Sequence, residues 1–64
     1  MNRGDKVRLS VEGKNVLVHP FRGRLTKDSE GTVVGFGRDG YTIRVKVDCY
    51  STIKSYHVDF WEPI

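Results

Sequence analysis

Asp39-Gly40 stands between two runs rich in β-branched residues, Gly31-Thr32-Val33-Val34 and Thr42-Ile43-Arg44-Val45-Lys46-Val47, and nothing else in the chain constrains the fold as much. A type I′ turn needs positive φ at both central residues, and Asp-Gly is among the pairs that supply it most readily. The stretch from Gly31 to Val47 is therefore expected to be a β-hairpin. A two-residue loop places Phe36 opposite Ile43, Val34 opposite Val45 and Thr32 opposite Val47, with that apolar set inward. The other face then carries Val33, Gly35, Gly37, Thr42, Arg44 and Lys46. A four-residue loop pairing Phe36 with Tyr41 keeps the same faces, so both loops stay open.

Before the hairpin, Gly4 to Val11 alternates, with Val7, Leu9 and Val11 on one face and Lys6, Arg8 and Ser10 on the other. That pattern predicts a half-buried strand with a basic outer face. Glu12-Gly13-Lys14-Asn15 has turn chemistry, and Val16-Leu17-Val18 suits a short extra strand halted by His19-Pro20. Phe21 to Glu30 has the composition of a loop, with Leu25 as its inward anchor. After the hairpin, Ile53 to Val58 predicts a fourth strand and Asp59-Phe60-Trp61 a turn of 3₁₀ helix. Glu62-Pro63-Ile64 suits a closing edge segment, because proline has no N–H for a ladder. No segment has helical periodicity long enough to predict an α-helix. Phe36 and Trp61 are the expected large core residues.

Sixty-four residues make a single domain, 1–64, of a size that buries roughly 60% of its unfolded surface. One cysteine, Cys49, offers no internal disulfide, and no apolar run approaches the ~18 residues of a membrane span. With no signal-peptide pattern, the expectation is a cytoplasmic protein with no membrane partner, for which homo-oligomerisation is the remaining staple.

The net charge of +3 is unevenly spread. Residues 1–27 hold seven basic side chains against two acidic ones, while residues 28–64 hold four against six. Arg22, Arg24 and Lys27 crowd the loop, Arg44 and Lys46 share the hairpin's outer face, and Lys6 and Arg8 lie on the first strand. If loop and outer face lie on one side, they form a basic, partly aromatic surface suited to phosphates and stacked bases. Ordinary solvation of a charged face accounts for the same residues, and Asp5, Asp28, Glu30 and Asp48 are at hand to pair with them.

Other chemistry fits less well. Gly35 to Gly40 matches G-x-G-x-x-G, but a strand follows where a dinucleotide site needs a helix N-terminus. His19, Cys49 and His57 are in no zinc-finger spacing, so neither a metal nor a cofactor is expected. Cys49 has no evident activating base, and no catalytic residue is assigned.

Five short strands, a long first loop, a tight central hairpin and a 3₁₀ turn before the last strand resemble the SH3-like small barrels. Gly4-Asp5-Lys6-Val7-Arg8 is similar to their first strand, Glu30 to Gly35 to their second, and Tyr56 to Ile64 to their 3₁₀ turn and fifth strand. The fold expected is thus an all-β, five-stranded SH3-like small barrel. In such barrels aromatics often line a groove between the first loop and the 3₁₀ turn. The resemblance implies a protein-partner groove at Phe21, Tyr50, Tyr56 and Phe60. Nucleic-acid-associated barrels of the KOW and Tudor-like groups look similar in outline.

Residues 31–38 and 55–64 also resemble short uncharacterised phage and proteobacterial proteins, which would suit a phage-encoded effector of a host protein. A more distant resemblance is to the plasmid-borne type II dihydrofolate reductases, tetrameric NADPH-dependent enzymes with one central pore. It rests on Gly4-Asp5-Lys6-Val7-Arg8 and Gly31 to Phe36. Their Val-Gln-Ile-Tyr motif falls on Ile53-Lys54-Ser55-Tyr56, with Lys54 in place of the pore glutamine and Ser55 in place of the isoleucine. Four lysines around one pore would repel one another. A non-enzymatic binding module associated with nucleic acid is the reading this sequence favours, ahead of a protein-interaction module and of the reductase.

Overall fold

The structure, a computed structural model, describes residues 1–21 and 23–64, so Arg22 lies outside the described residues. Five strands form one antiparallel sheet: β1 (Lys6–Leu9), β2 (Glu30–Phe36), β3 (Thr42–Val47), β4 (Ile53–His57) and β5 (Trp61–Pro63). Their spatial order is β4-β3-β2-β1-β5, so the sheet is open, with β4 and β5 as its edges. A short helix, α1 (Val11–Leu17), follows β1, and a 3₁₀ helix (Val58–Phe60) joins β4 to β5. Val7, Leu9, Leu25, Val33, Ile43, Val45, Val47 and Trp61 form the core. Leu25 anchors the long connection as expected.

The hairpin forms at Asp39-Gly40 but not through the expected type I′ turn, because Gly40 is at φ +84° while Asp39 does not have positive φ. Gly37 N–H donates to the Thr42 carbonyl at 2.8 Å, leaving residues 38–41 as the loop. Phe36 pairs with Ile43, but deeper in the hairpin the register differs from expectation. Val33 faces Val45 and Gly31 faces Val47, because a β-bulge between Val33 and Gly35 inserts Val34 as an extra residue. Val33 is therefore the inward residue and is fully buried. Phe36, expected in the core, lies beyond the bulge near the end of the sheet and is 49% exposed. β3 behaves as its alternation predicts, with Ile43, Val45 and Val47 inward and Arg44 outward.

The larger correction concerns Val11 to Val18. Val7 and Leu9 are buried, but Val11 is not the third residue of that face; it opens α1 and is exposed. Ser10 causes the change. At φ −72°, ψ 175°, its backbone is extended, and its hydroxyl accepts the Gly13 amide at 3.1 Å as an N-cap. Val16 and Leu17 thus form the last turn of a helix rather than an extra strand. Seven residues are too few for a helix to persist on propensity alone, and α1 holds by docking on the 3₁₀ helix. Gly13, the buried residue of α1, allows this approach, because a Cβ there would run into the Phe60 carbonyl. The 3₁₀ turn starts at Val58, one residue before its expected position, and Trp61 already belongs to β5.

Candidate nucleic-acid interface

Cross-strand partners share a face, so the ladders fix what stands on the side of the sheet away from the core. Thr42 pairs with His57, Arg44 with Ser55, and Lys46 with Ile53. Lys46 also pairs with Thr32, which pairs with Lys6, so one row crosses four strands. Arg8 lies between Glu30 on β2 and Glu62 on β5.

Two of these cations are engaged by carboxylates. Arg8 Nε donates to Glu62 Oε1 at 3.0 Å, and Lys6 Nζ donates to Asp48 Oδ2 at 3.4 Å. Both pairs are about half exposed, where such contacts are worth roughly 0–1 kcal/mol. Their main effect is to cancel the charge of the β1 outer face. Arg44 and Lys46 make no ion pair among the described residues. Lys46 Nζ donates to the Val47 carbonyl at 3.0 Å, which holds the ammonium near the sheet with its charge uncompensated.

An aromatic cluster adjoins this pair at one end of β3 and β4. The Tyr41 and His57 rings stack at 5.5 Å with 24° between their planes, and Phe60 lies 5.9 Å from His57. Tyr41 and His57 are both exposed. Five hydrogen bonds hold the platform and the loop beside it. Val58 N–H donates to the Tyr41 carbonyl at 2.8 Å, and Asp59 N–H donates to His57 Nδ1 at 3.1 Å. At the loop, Asp39 accepts the amides of Tyr41 and Thr42 at 3.1 and 2.9 Å, and Thr42 Oγ1 donates to its other oxygen at 2.6 Å. The Thr42 hydroxyl is the largest influence holding the Asp39 carboxyl below its ordinary value of 3.8.

The sequence-predicted residues thus fall into separate groups. Arg44 and Lys46 are together on β3. Lys27 lines a polar cleft of about 440 Å³ with Arg8, Lys14, Asp28, Glu30 and Glu62, where three cations face three carboxylates. Glu30 brings this cleft onto β2 beside β3, but five positions along that strand from Gly35, the partner of Arg44. Arg24 is exposed, and its backbone amide donates to the Tyr50 phenol at 3.2 Å.

Among the groove aromatics, Tyr50 carries the Lys54 ammonium 4.4 Å above its ring, and Tyr56 meets Trp61 edge-on at 5.4 Å. Burial pushes the Tyr56 phenol above its ordinary value of 10.0, with smaller contributions from Tyr50 and Cys49. Phe60 packs partly against the core and its carbonyl accepts the Ser10 amide at 3.0 Å. Phe21 is 96% exposed. Three of the four rings, Tyr50, Tyr56 and Phe60, therefore brace the core. The Tyr41–His57 stack was not legible in advance, because it depends on the β3–β4 register, which no turn signal specifies.

Among the described residues no three His, Cys, Asp or Glu side chains converge as metal ligands would, and no helix is long and apolar enough to cross a membrane. No protein-family model matches the chain, and no curated protein or solved structure matches it either.

Proposed function

We propose that this protein is a small non-enzymatic binding module of the SH3-like barrel kind that holds single-stranded nucleic acid on the outer face of β3 and β4. The strand order, the long connection before β2 and the 3₁₀ helix before β5 support the barrel reading. The observation that carries the functional reading is the juxtaposition of two uncompensated cations, Arg44 and Lys46, with the exposed Tyr41–His57 stack. Single strands are held by cations that follow the backbone and by aromatic faces on which bases stack, with little sequence preference. Arg44 is on the same face as His57 and diagonal to it, so a base stacked at the aromatic end brings its phosphates toward Arg44 and Lys46. Arg24 acts at longer range, adding to the positive field of the first half of the chain, and Lys27 adds less because its cleft holds three carboxylates.

Fluorescence anisotropy of a labelled mixed-sequence single strand, titrated with protein at several salt concentrations, tests the reading. The affinity is expected to fall linearly in log–log form with salt, by about 0.7 per phosphate neutralised. Binding that is absent at low salt, or unchanged between low and moderate salt, would overturn it.

A further inference from the structure

The open sheet has two edges of different character. β5 is three residues long, and its Ile64 amide donates to the Lys6 carbonyl at 3.2 Å, which fixes the alternation of bonds along it. Glu62 then bonds inward to β1, while Trp61 and Pro63 turn their backbone groups outward. Pro63 has no N–H, so this edge is blunted.

β4 is five residues long and has neither proline nor bulge. Its ladder is phased by Val58 N–H, which donates to the Tyr41 carbonyl. In an antiparallel ladder bonded pairs alternate, so Lys54 and Tyr56 bond to β3, while Ile53, Ser55 and His57 turn three N–H and three C=O groups away from it. Among the described residues the three N–H groups and the carbonyls of Ile53 and Ser55 meet no backbone partner, while the His57 carbonyl opens the 3₁₀ helix and keeps one lone pair for a second donor.

We infer that β4 pairs with β4 of a second copy of this chain, antiparallel and with Ser55 on the two-fold axis. In that register all five residues from Ile53 to His57 pair, and any slide shortens the ladder. All six outward groups are then bonded: Ser55 with the partner's Ser55, Ile53 with the partner's His57, and His57 with the partner's Ile53. Lys54 meets the aromatic ring of the partner's Tyr56. Sliding the strands by two residues one way makes two fewer bonds and sets Lys54 against the partner's Lys54, a like-charge contact that selects against it. An edge lysine ordinarily discourages pairing, and here it also chooses the register. On the outer face Ile53, 49% exposed in the single chain, comes against the partner's His57.

This pairing does not rest on nucleic-acid binding, although His57 takes part in both. Light scattering across a concentration series is expected to show the mass doubling from 7.3 kDa. Hydrogen exchange over the same series is expected to slow at the amides of Ile53, Ser55 and His57 and not at Lys54 and Tyr56, which already bond to β3. Ser55→Lys places two ammonium groups on the axis and is expected to hold the chain at single mass, as is Ser55→Glu. An equimolar mixture of the two variants is expected to restore the doubled mass. A chain that stays single throughout with an unchanged Ser55 amide would overturn the proposal, as would a dimer untouched by Ser55→Lys. If Ser55→Lys loses its near-ultraviolet aromatic signal, the exchange pattern of the unaltered chain decides.

Discussion

The Ser10 hydroxyl donates to the carbonyl of Asp59 at 2.5 Å, across forty-nine positions of sequence. The same hydroxyl oxygen accepts the Gly13 amide, and the Ser10 amide donates to the carbonyl of Phe60. One side chain therefore ends β1, starts α1 and ties both to the 3₁₀ helix, which in turn holds His57 through the Asp59 amide. The aromatic platform and the helix cap belong to one bonded chain of groups.

Ser10→Ala removes the cap and leaves the Asp59 carbonyl without its donor. Loss of an N-cap costs about 0.5–2 kcal/mol, and the lost Asp59 contact places the expected effect at the upper part of that range. Chemical denaturation with an unchanged slope checks it. Ser10→Thr, which keeps the hydroxyl, is expected to recover most of the loss.

Gly13→Ala sets two effects against each other. In an exposed helix the change favours folding by about 0.8–1 kcal/mol. At Gly13 the new methyl would meet the Phe60 carbonyl and Leu9 Cδ2, and a backbone group cannot swing aside. Overpacking costs of about 1–3 kcal/mol win. The variant is expected to be less stable, with α1 displaced from the 3₁₀ helix and a changed near-ultraviolet signal from Trp61.

The strands were legible because their alternation is simple: Val7 and Leu9, then Ile43, Val45 and Val47, are all buried. Two features were not. Ser10 continues the β1 alternation as a plausible outward residue, so its second role as a cap before Val11 is masked by the valines that follow. At Val33-Val34, two identical residues in a row cannot reveal which one faces inward. A bulge reverses the face without changing composition. The candidate site was half legible for the same reason: Arg44 and Lys46 follow from alternation within β3, but His57 joins them only through the pairing of β3 with β4.

The bulge makes a direct stability prediction. Val33→Ala removes a fully buried side chain and is expected to cost about 1.5–3 kcal/mol. Phe36→Ala removes a larger side chain that is half in water and is expected to cost less than Val33→Ala, despite the greater number of atoms lost. Paired denaturation curves decide. The opposite ranking would mean that Val34 and Phe36 form the inward set.

The turn carries its own pH dependence. Asp39 is held below its ordinary value of 3.8 chiefly by the Thr42 hydroxyl, so the folded hairpin favours the carboxylate. A depressed acid contributes stability that is present above its unfolded value and is lost as pH falls through its folded value. The loop is therefore expected to loosen only below about pH 4, read from the Thr42 amide and the Asp39 carboxyl signals by NMR. Thr42→Val removes the main cause and is expected to raise the Asp39 titration toward 3.8.

Cation and aromatic variants separate the two halves of the proposed interface. Arg44→Ala and Lys46→Ala each remove an uncompensated charge from the β3 face and are expected to lower the salt slope of single-strand binding by roughly 1. Tyr41→Ala removes a stacking surface and no charge. It is expected to weaken binding by about 1–3 kcal/mol if it holds one base, while leaving the slope unchanged. Lys27→Ala acts in a cleft where Asp28, Glu30 and Glu62 already balance the cations, so its effect on the slope should be smaller than that of Arg44→Ala. Anisotropy titrations of all four variants at three salt concentrations distinguish these outcomes. A slope that responds to Lys27→Ala and not to Arg44→Ala would move the phosphate path from β3 to the β1–β5 cleft. A slope that responds to neither would leave the positive field of the first 27 residues as the source of attraction.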